Sequence, residues 1–474
     1  MTKRNEIPAL ILTLGVTLGL VGGGYWWFTR HTDLGRNLSN SLPSLDPNSS
    51  GGIPGSSAPT ERLSAGEKVL VTGVTSPDKL AGVQAIAAGN YPEAVARLEA
   101  SLQQNRNDPE ARIYLNNARI GSQPSYTLAV AAPTITAVDP AQEILRGVAQ
   151  AQEALNQAGG VNGVPLRIVI VNDDNDPAVA TQVAEALVAD DAVLGVIGHF
   201  GSETSLAASA VYQPAGLVMV SPTSTSIQLS GVGNAVFRTV PSDRFTATAL
   251  SRYLVNVSQR RNVALYFNGD SDYSRSLKDE LTTALYSDGG QVVAEFNVVE
   301  SGFDAAGSLN QATQQGAEAV ALLTNAATLD QALQVLAANQ NRLSVVGGDS
   351  LYNPRLLQQG GASAVNMAVA VPWIFLSDPD APFAREARQL WGGDVNWRTA
   401  MTYDATIALA EALEGTPTRA GVLSRLGDAG FSAEGATGQI RFLPSGDRNQ
   451  AMQLVEVVPG SRSGFGYDFV PVQP

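Results

Sequence analysis

From residue 126 onward, short runs rich in Val, Ile and Ala alternate with longer stretches whose apolar residues recur at helical spacing: 128–132, then 141–158, 166–171, 178–189 and 192–197. A strand, a helix and another strand in that order make a parallel pair with the helix crossing one face. Strands covered on both faces read as unbroken apolar runs. The pattern returns at 263–267, 274–287, 291–296, 319–323, 329–339 and 343–347, so the sequence predicts two α/β lobes. A chain of 474 residues has the length for two such cores and for further segments.

Open α/β sheets bind ligands just beyond the carboxyl ends of their strands. Val196-Ile-Gly-His199-Phe-Gly-Ser202-Glu-Thr-Ser205 and, about 20 residues later, Val220-Ser-Pro222-Thr-Ser224-Thr225-Ser226 each carry a buried strand into hydroxyls and free backbone N–H groups. They read as two halves of one small-molecule site.

Composition narrows what that site can do. Lys+Arg 30 against Asp+Glu 44 gives a net charge of −14, with no basic tract, which argues against nucleic-acid and anionic-membrane surfaces. Cysteine is absent, which removes disulfides, thiol nucleophiles, thiolate metal sites and a lipid-bearing N-terminal Cys. Only His31 and His199 are present, so His-based metal sites and catalytic triads have almost no material. The reading is a binder without a cofactor, not an enzyme.

Residues 7–28 carry no charge and are flanked by Lys3, Arg4 and Arg30, with Tyr25, Trp26 and Trp27 at the far end. That length crosses a hydrocarbon core of roughly 30 Å, and the aromatic rings suit its interface. The expectation is a membrane anchor over 1–31. The alternative is a cleaved signal peptide, against which the small-residue candidate Gly22 to Gly24 runs straight into the aromatic cluster. Residues 32–67, rich in Ser, Pro, Gly and Asn, read as a flexible spacer.

Residues 68–121 are expected to form a small helical segment. Positions 80–88 and 92–103 show helical spacing on either side of Gly89-Asn90-Tyr91, and Asp108-Pro109-Glu110 opens a third helix. With Ala94 and Leu102, these features resemble one tetratricopeptide unit. One unit falls short of the roughly three repeats that make an array, so a packed spacer and a protein-docking role both stand.

The chain from Tyr126 onward resembles a type I periplasmic binding protein of the branched-chain amino-acid (Leu/Ile/Val) class. The resemblance rests on the order and spacing of Asn156-Gln-Ala-Gly-Gly160-Val-Asn-Gly163, Asp173-Asp-Asn-Asp176-Pro177, Ile197-Gly-His-Phe-Gly-Ser202, Val220-Ser-Pro222-Thr-Ser-Thr225, Gly348-Asp349, Tyr403-Asp404-Ala and Gly438-Gln-Ile-Arg-Phe442. It implies two doubly wound lobes joined by three crossovers near Pro241, Pro372 and Glu434: lobe 1 from 126–241 and 373–433, lobe 2 from 242–372 and 434–474. It also implies an extracytoplasmic solute-binding protein closing on an amino acid or similar molecule, with an ATP-driven (ABC) permease as partner. A sensor or scaffold that docks another protein through its helical segment is the alternative.

The resemblance assigns ligand contacts to Ser202, Ser224, Thr225, Tyr273 and Asp349. Ser202, at a helix start, suits a carboxylate, or caps the helix at 206–211. Ser224 and Thr225 match positions that grip the α-ammonium and α-carboxylate, or form an ordinary polar turn. Asp349 follows the strand at 343–347 and stands where relatives often carry Glu to meet an ammonium; a helix cap or loop acid is its other reading. Tyr273 matches an aromatic that covers the ligand, or is a half-buried residue at a helix start.

Asp173, Asp174 and Asp176 resemble a cation cluster but lack the Gly and later Glu of a calcium loop, and Asp176 is placed to cap the helix at Pro177. His199 reads as a hydrogen-bonded structural residue. The short loop 133–140 and the small residues at 323–328 lack the aromatics that members of the family it resembles often carry there, which implies a pocket more open or more polar than a branched-chain site.

Overall fold

The computed structural model describes residues 59–73 and 75–472. The anchor expected at 1–31 and the spacer up to residue 58 lie outside the described residues. Among the described residues no helix is long and apolar enough to cross a membrane.

The spacer does not extend to residue 67. Leu63–Ser64 (β1) forms an edge strand of the first lobe's sheet, and Arg62, just before it, pairs with the carboxylate of Asp174. Two backbone pairings and an ion pair suffice to order a stretch whose composition alone reads as unstructured.

Three helices follow: α1 (Pro77–Ala87), α2 (Tyr91–Gln104) and α3 (Pro109–Ile120). Each has proline in its first turn and a side-chain cap, from Ser76, Asn90 and Asp108, that accepts the N–H three residues on. Lys79 on α1 lies 2.8 Å from both Asp108 and Glu110, which ties α1 to α3.

Lobe 1 begins with β2 (Tyr126–Ala132), α4 (Val138–Gln157), β3 (Leu166–Asn172), α5 (Pro177–Ala189), β4 (Val193–Ile197), α6 (Ser202–Ala215), β5 (Met219–Ser221) and β6 (Val236–Arg238). The strand order is β1-β3-β2-β4-β5-β6, parallel except for β1. Leu128, Ala129, Val130, Ala131 and Ala132 of the central β2 are all fully buried, as a strand covered on both faces requires. The helical segment packs on this lobe. Asn117 of α3 exchanges hydrogen bonds with Ile168 of β3, giving its Nδ2 to the carbonyl at 2.7 Å and accepting the N–H at 3.1 Å, and Arg112 pairs with Glu153 at 3.0 Å.

Lobe 2 takes up α7 (Asp243–Arg252), β7 (Asn262–Phe267), α8 (Asp272–Asp288), β8 (Gln291–Asn297), α9 (Ala305–Gln314), β9 (Ala319–Leu323), α10 (Leu329–Asn339), β10 (Ser344–Gly347) and β11 (Ala368–Val371). The chain returns to lobe 1 as α11 (Pro382–Trp391), α12 (Trp397–Leu413), α13 (Arg419–Leu426) and the hairpin β12 (Ala433–Gly435) and β13 (Gly438–Ile440). It ends in lobe 2 as β14 (Gln453–Pro459) and β15 (Tyr467–Pro471), antiparallel additions to a sheet of order β15-β14-β11-β10-β9-β7-β8.

The third crossing comes later than the expected Glu434. Residues on either side of Asp447 belong to lobe 1: Asp447 pairs with Arg238 at 2.6 Å, Arg448 pairs with Asp404 at 2.6 Å, and Gly446 accepts the N–H of Arg238 at 3.0 Å. These buried ion pairs hold the hairpin and its tail on α12 until the chain leaves for β14.

In both sheets the first strand of the parallel unit, β2 or β7, is flanked by the next two strands on opposite sides. The connections diverge there and leave a crevice at the carboxyl ends. Glycine seats the helix that closes lobe 1: a Cβ on Gly147 of α4 would stand 2.4 Å from the carbonyl oxygen of Thr399, so α4 and α12 meet backbone to backbone.

Candidate functional site

The strands of both lobes deliver their following residues to one crevice. In lobe 1, β4 leads through Phe200 and Gly201 to Ser202, and β5 leads to Thr223; in lobe 2, β7 leads to Ser271 and Tyr273, β9 to Asn325, Ala326 and Ala327, and β10 to Asp349 and Ser350. With Trp397 and Arg398 from the start of α12 they wall a cavity of about 80 Å³. An outer chamber of about 490 Å³ adjoins it and shares Asn175, Phe200, Ala326, Ala327, Ser350 and Arg398. The lobes touch beside it: Ile227 donates its N–H to Ser276 Oγ at 3.0 Å, and Asp272 donates its N–H to the carboxylate of Glu203.

Ser202, 2 % exposed, is the first residue of α6, yet it does not cap that helix; Gly201 is the cap position and the Ser202 hydroxyl accepts the N–H of Ser226 at 3.3 Å. It stands on the cavity wall together with the amino end of a 14-residue helix, an end that favours an anion.

Ser224 and Thr225, expected as ligand contacts, are not on the cavity wall; Thr223 is. The Ser224 hydroxyl is held by the turn before α6, 2.7 Å from Ser205 Oγ and 3.0 Å from the Gly201 carbonyl. Thr225 is fully buried and accepts the N–H of Asp243 at 2.8 Å through its carbonyl.

Tyr273 walls the cavity from α8, with its hydroxyl 3.4 Å from Ser350 Oγ, and burial pushes its phenol well up. Asp349 is 3 % exposed, and its Oδ2 has no hydrogen-bond partner among the described residues. Burial raises its carboxyl to about 6, against the pull of the Arg398 guanidinium. Nearby, fully buried Asp243 has no hydrogen-bond partner for either carboxylate oxygen among the described residues. Burial raises it to about 7, with Ser276, Thr225 and Arg238 pulling down and the charge of Asp349 pushing up.

The three aspartates of the apparent cation cluster are engaged separately. Asp173 lies 2.7 Å from His199 Nδ1, Asp174 pairs with Arg62, and Asp176 caps α5 by accepting the N–H groups of Ala178 and Val179. His199 is fully buried, with Nε2 3.0 Å from the Tyr212 hydroxyl, a structural residue as its place behind a strand implied.

Arg398, Asn175, Thr223 and Asp243 were not singled out from the sequence. Arg398 had one signal: it sits in the first turn of a helix capped by Asn396, where a cation opposes the helix dipole and needs a reason.

Residues 135–463 match the sequence profile of the periplasmic binding protein family. The chain belongs to the periplasmic binding protein family. Among relatives, an amino acid binding protein of Pseudomonas aeruginosa is 34% identical over 145 residues, 30% of this chain and 38% of that protein. A leucine-specific-binding protein of Salmonella typhimurium is 25% identical over 272 residues, 56% of this chain and 72% of that protein. The chain thus spans well under half the length of the first of these and most of the second. The structure of an ABC transporter substrate-binding protein from Desulfitobacterium hafniense in complex with Leu superimposes with a TM-score of 0.62 at 24% identity, covering 73% of this chain and all of that one. The α/β architecture expected of a type I periplasmic binding protein is therefore the one found.

Proposed function

We propose that this periplasmic binding protein is an extracytoplasmic solute receptor, tethered to the cytoplasmic membrane through residues 7–28, that closes its two lobes on an amino acid and presents it to an ABC permease. The observation that carries this reading is the polarity of the cleft: lobe 1 offers a hydroxyl at a helix amino end, Ser202, and lobe 2 offers a buried carboxylate with an unpartnered oxygen, Asp349. An α-carboxylate complements the first and an α-ammonium the second. Thr223 takes the wall position first assigned to Ser224 and Thr225, which support the loop from behind. Tyr273 covers the ligand from lobe 2.

A zwitterion bound on one lobe supplies the missing partner of the other, so occupancy and closure are coupled. The names of the Pseudomonas, Salmonella and Desulfitobacterium proteins support an amino acid as the ligand class.

The test is a thermal-shift screen of the full-length chain against the proteinogenic amino acids. A ligand at 100 times its Kd adds about 2.7 kcal/mol of stability. Small-angle scattering of the same complex should show compaction. A screen in which no amino acid raises the melting temperature would sink the reading. For the tether, the expected result is resistance to carbonate extraction, and a mature N-terminus at or beyond Tyr25 would remove it.

A further inference from the structure

We propose that Arg398 is the specificity residue of the cleft and pairs with a carboxylate on the ligand's side chain, so that the receptor selects an acidic amino acid. This rests on the amino-acid reading above and names the substrate class within it.

Arg398 is 7 % exposed, and among the described residues its guanidinium forms no ion pair and its Nε has no hydrogen-bond partner. Asp349 and Glu143 act on it through their charge, but neither makes an ion pair with it. Glu143 is taken by Arg146 at 2.5 Å, by the Thr399 hydroxyl and by the Asn396 N–H, and Glu203 is taken by the Asp272 N–H. Asp349 makes no ion pair with it across the cavity. An unpaired charge held out of water costs several kcal/mol, so a closed cleft with a neutral ligand would keep that cost.

Position assigns the partner to the side chain and not to the head group. Ser202 and Asp349 wall the inner cavity only, whereas Arg398 walls both the inner cavity and the outer chamber into which a side chain would extend. Ala326 and Ala327, with short side chains, line both spaces as well. The Arg398 guanidinium stacks 4.2 Å from the Trp397 ring centroid, which restrains a planar fork suited to bidentate carboxylate recognition.

Isothermal titration of the full-length protein and its Arg398→Gln and Arg398→Lys variants with L-glutamate, L-aspartate, L-glutamine, L-leucine and glutarate tests this. The expected result is that L-glutamate or L-aspartate binds the wild type at least tenfold tighter than L-glutamine and L-leucine, about 1.4 kcal/mol. The glutamate-to-glutamine ratio should collapse in Arg398→Gln and recover in part in Arg398→Lys. A wild type that prefers L-leucine or L-glutamine, or an Arg398→Gln protein that keeps the acid preference, overturns the proposal and leaves the amino-acid reading standing. Binding of glutarate in place of every amino acid overturns the amino-acid reading while upholding the Arg398 carboxylate site. No binding by any of the five overturns the proposal, and the amino-acid reading is then decided by the thermal-shift screen of all the proteinogenic amino acids.

Discussion

Asp349 and Arg398 stand on the wall of one cavity, one contributed by each lobe, and form no ion pair with each other. Two opposite charges buried in a common space would ordinarily close into a hydrogen-bonded pair. Here Asp349 Oδ2 and Arg398 Nε are each left without a hydrogen-bond partner among the described residues.

Replacing Asp349 with Ala removes a charge-assisted contact and leaves a ligand ammonium unpaired, at a cost of roughly 2 to 5 kcal/mol. Ser202→Ala removes one hydroxyl while backbone donors remain, so the expected loss is roughly 0.5 to 1.5 kcal/mol. Titration with the amino acid that gives the largest thermal shift should reproduce this order. Wild-type affinity in Asp349→Ala would point to an uncharged ligand.

Burial raises Asp349 to about 6 and Asp243 to about 7, each from 3.8. For an acid raised on folding, the stabilising contribution is fully present below the unfolded value and is lost as pH climbs through the folded value. Asp349→Asn should therefore gain stability relative to the ligand-free wild type as pH rises from about 4 to about 7, measured as a widening gap in melting temperature. Ligand binding runs the other way. An ammonium needs Asp349 ionised, so affinity should fall roughly tenfold per pH unit below about 6. A flat affinity profile between pH 4 and 7 would separate Asp349 from the ligand.

Gly147→Ala drives a methyl into the Thr399 carbonyl and the Thr402 side chain. Overpacking of this kind costs typically 1–3 kcal/mol. Because α12 carries Arg398 at its start, the variant should lose ligand affinity as well as melting temperature. Retention of both would show that the helices can separate freely.

Asp404, fully buried, accepts from the buried Arg448 at 2.6 Å, from the Ala436 N–H at 2.6 Å and from the Thr437 hydroxyl. Asp404→Ala strands the guanidinium and should cost roughly 3–5 kcal/mol. Asp404→Leu with Arg448→Met, which removes both charges, should be milder. Urea midpoints of the two variants decide it, and a double variant less stable than the single would contradict a penalty from the stranded charge.

The strand and helix pattern, the caps at Asp108 and Asp176, and the structural role of His199 were legible because each depends on residues within a turn or on the apolar periodicity of one element. The family markers carried the crevice and the places of Ser202, Tyr273 and Asp349 for the same reason, since they lie just past strands that the pattern locates.

Ser224 and Thr225 share a turn with Thr223, and composition does not say which of the three reaches the wall; the packing of that turn on the 199–201 turn, which follows another strand, decided it. The late third crossing depended on Asp404 finding Arg448, and the place of Arg398 on the cavity wall depended on α4 seating α12 through Gly147. What the sequence alone determined was therefore the set of elements and their order. Which side chains meet in the cleft, and which are left there without a partner, was decided only by tertiary structure, because sheet order and helix packing bring together groups whose burial and charge balance have no signature in their own neighbourhoods of the chain.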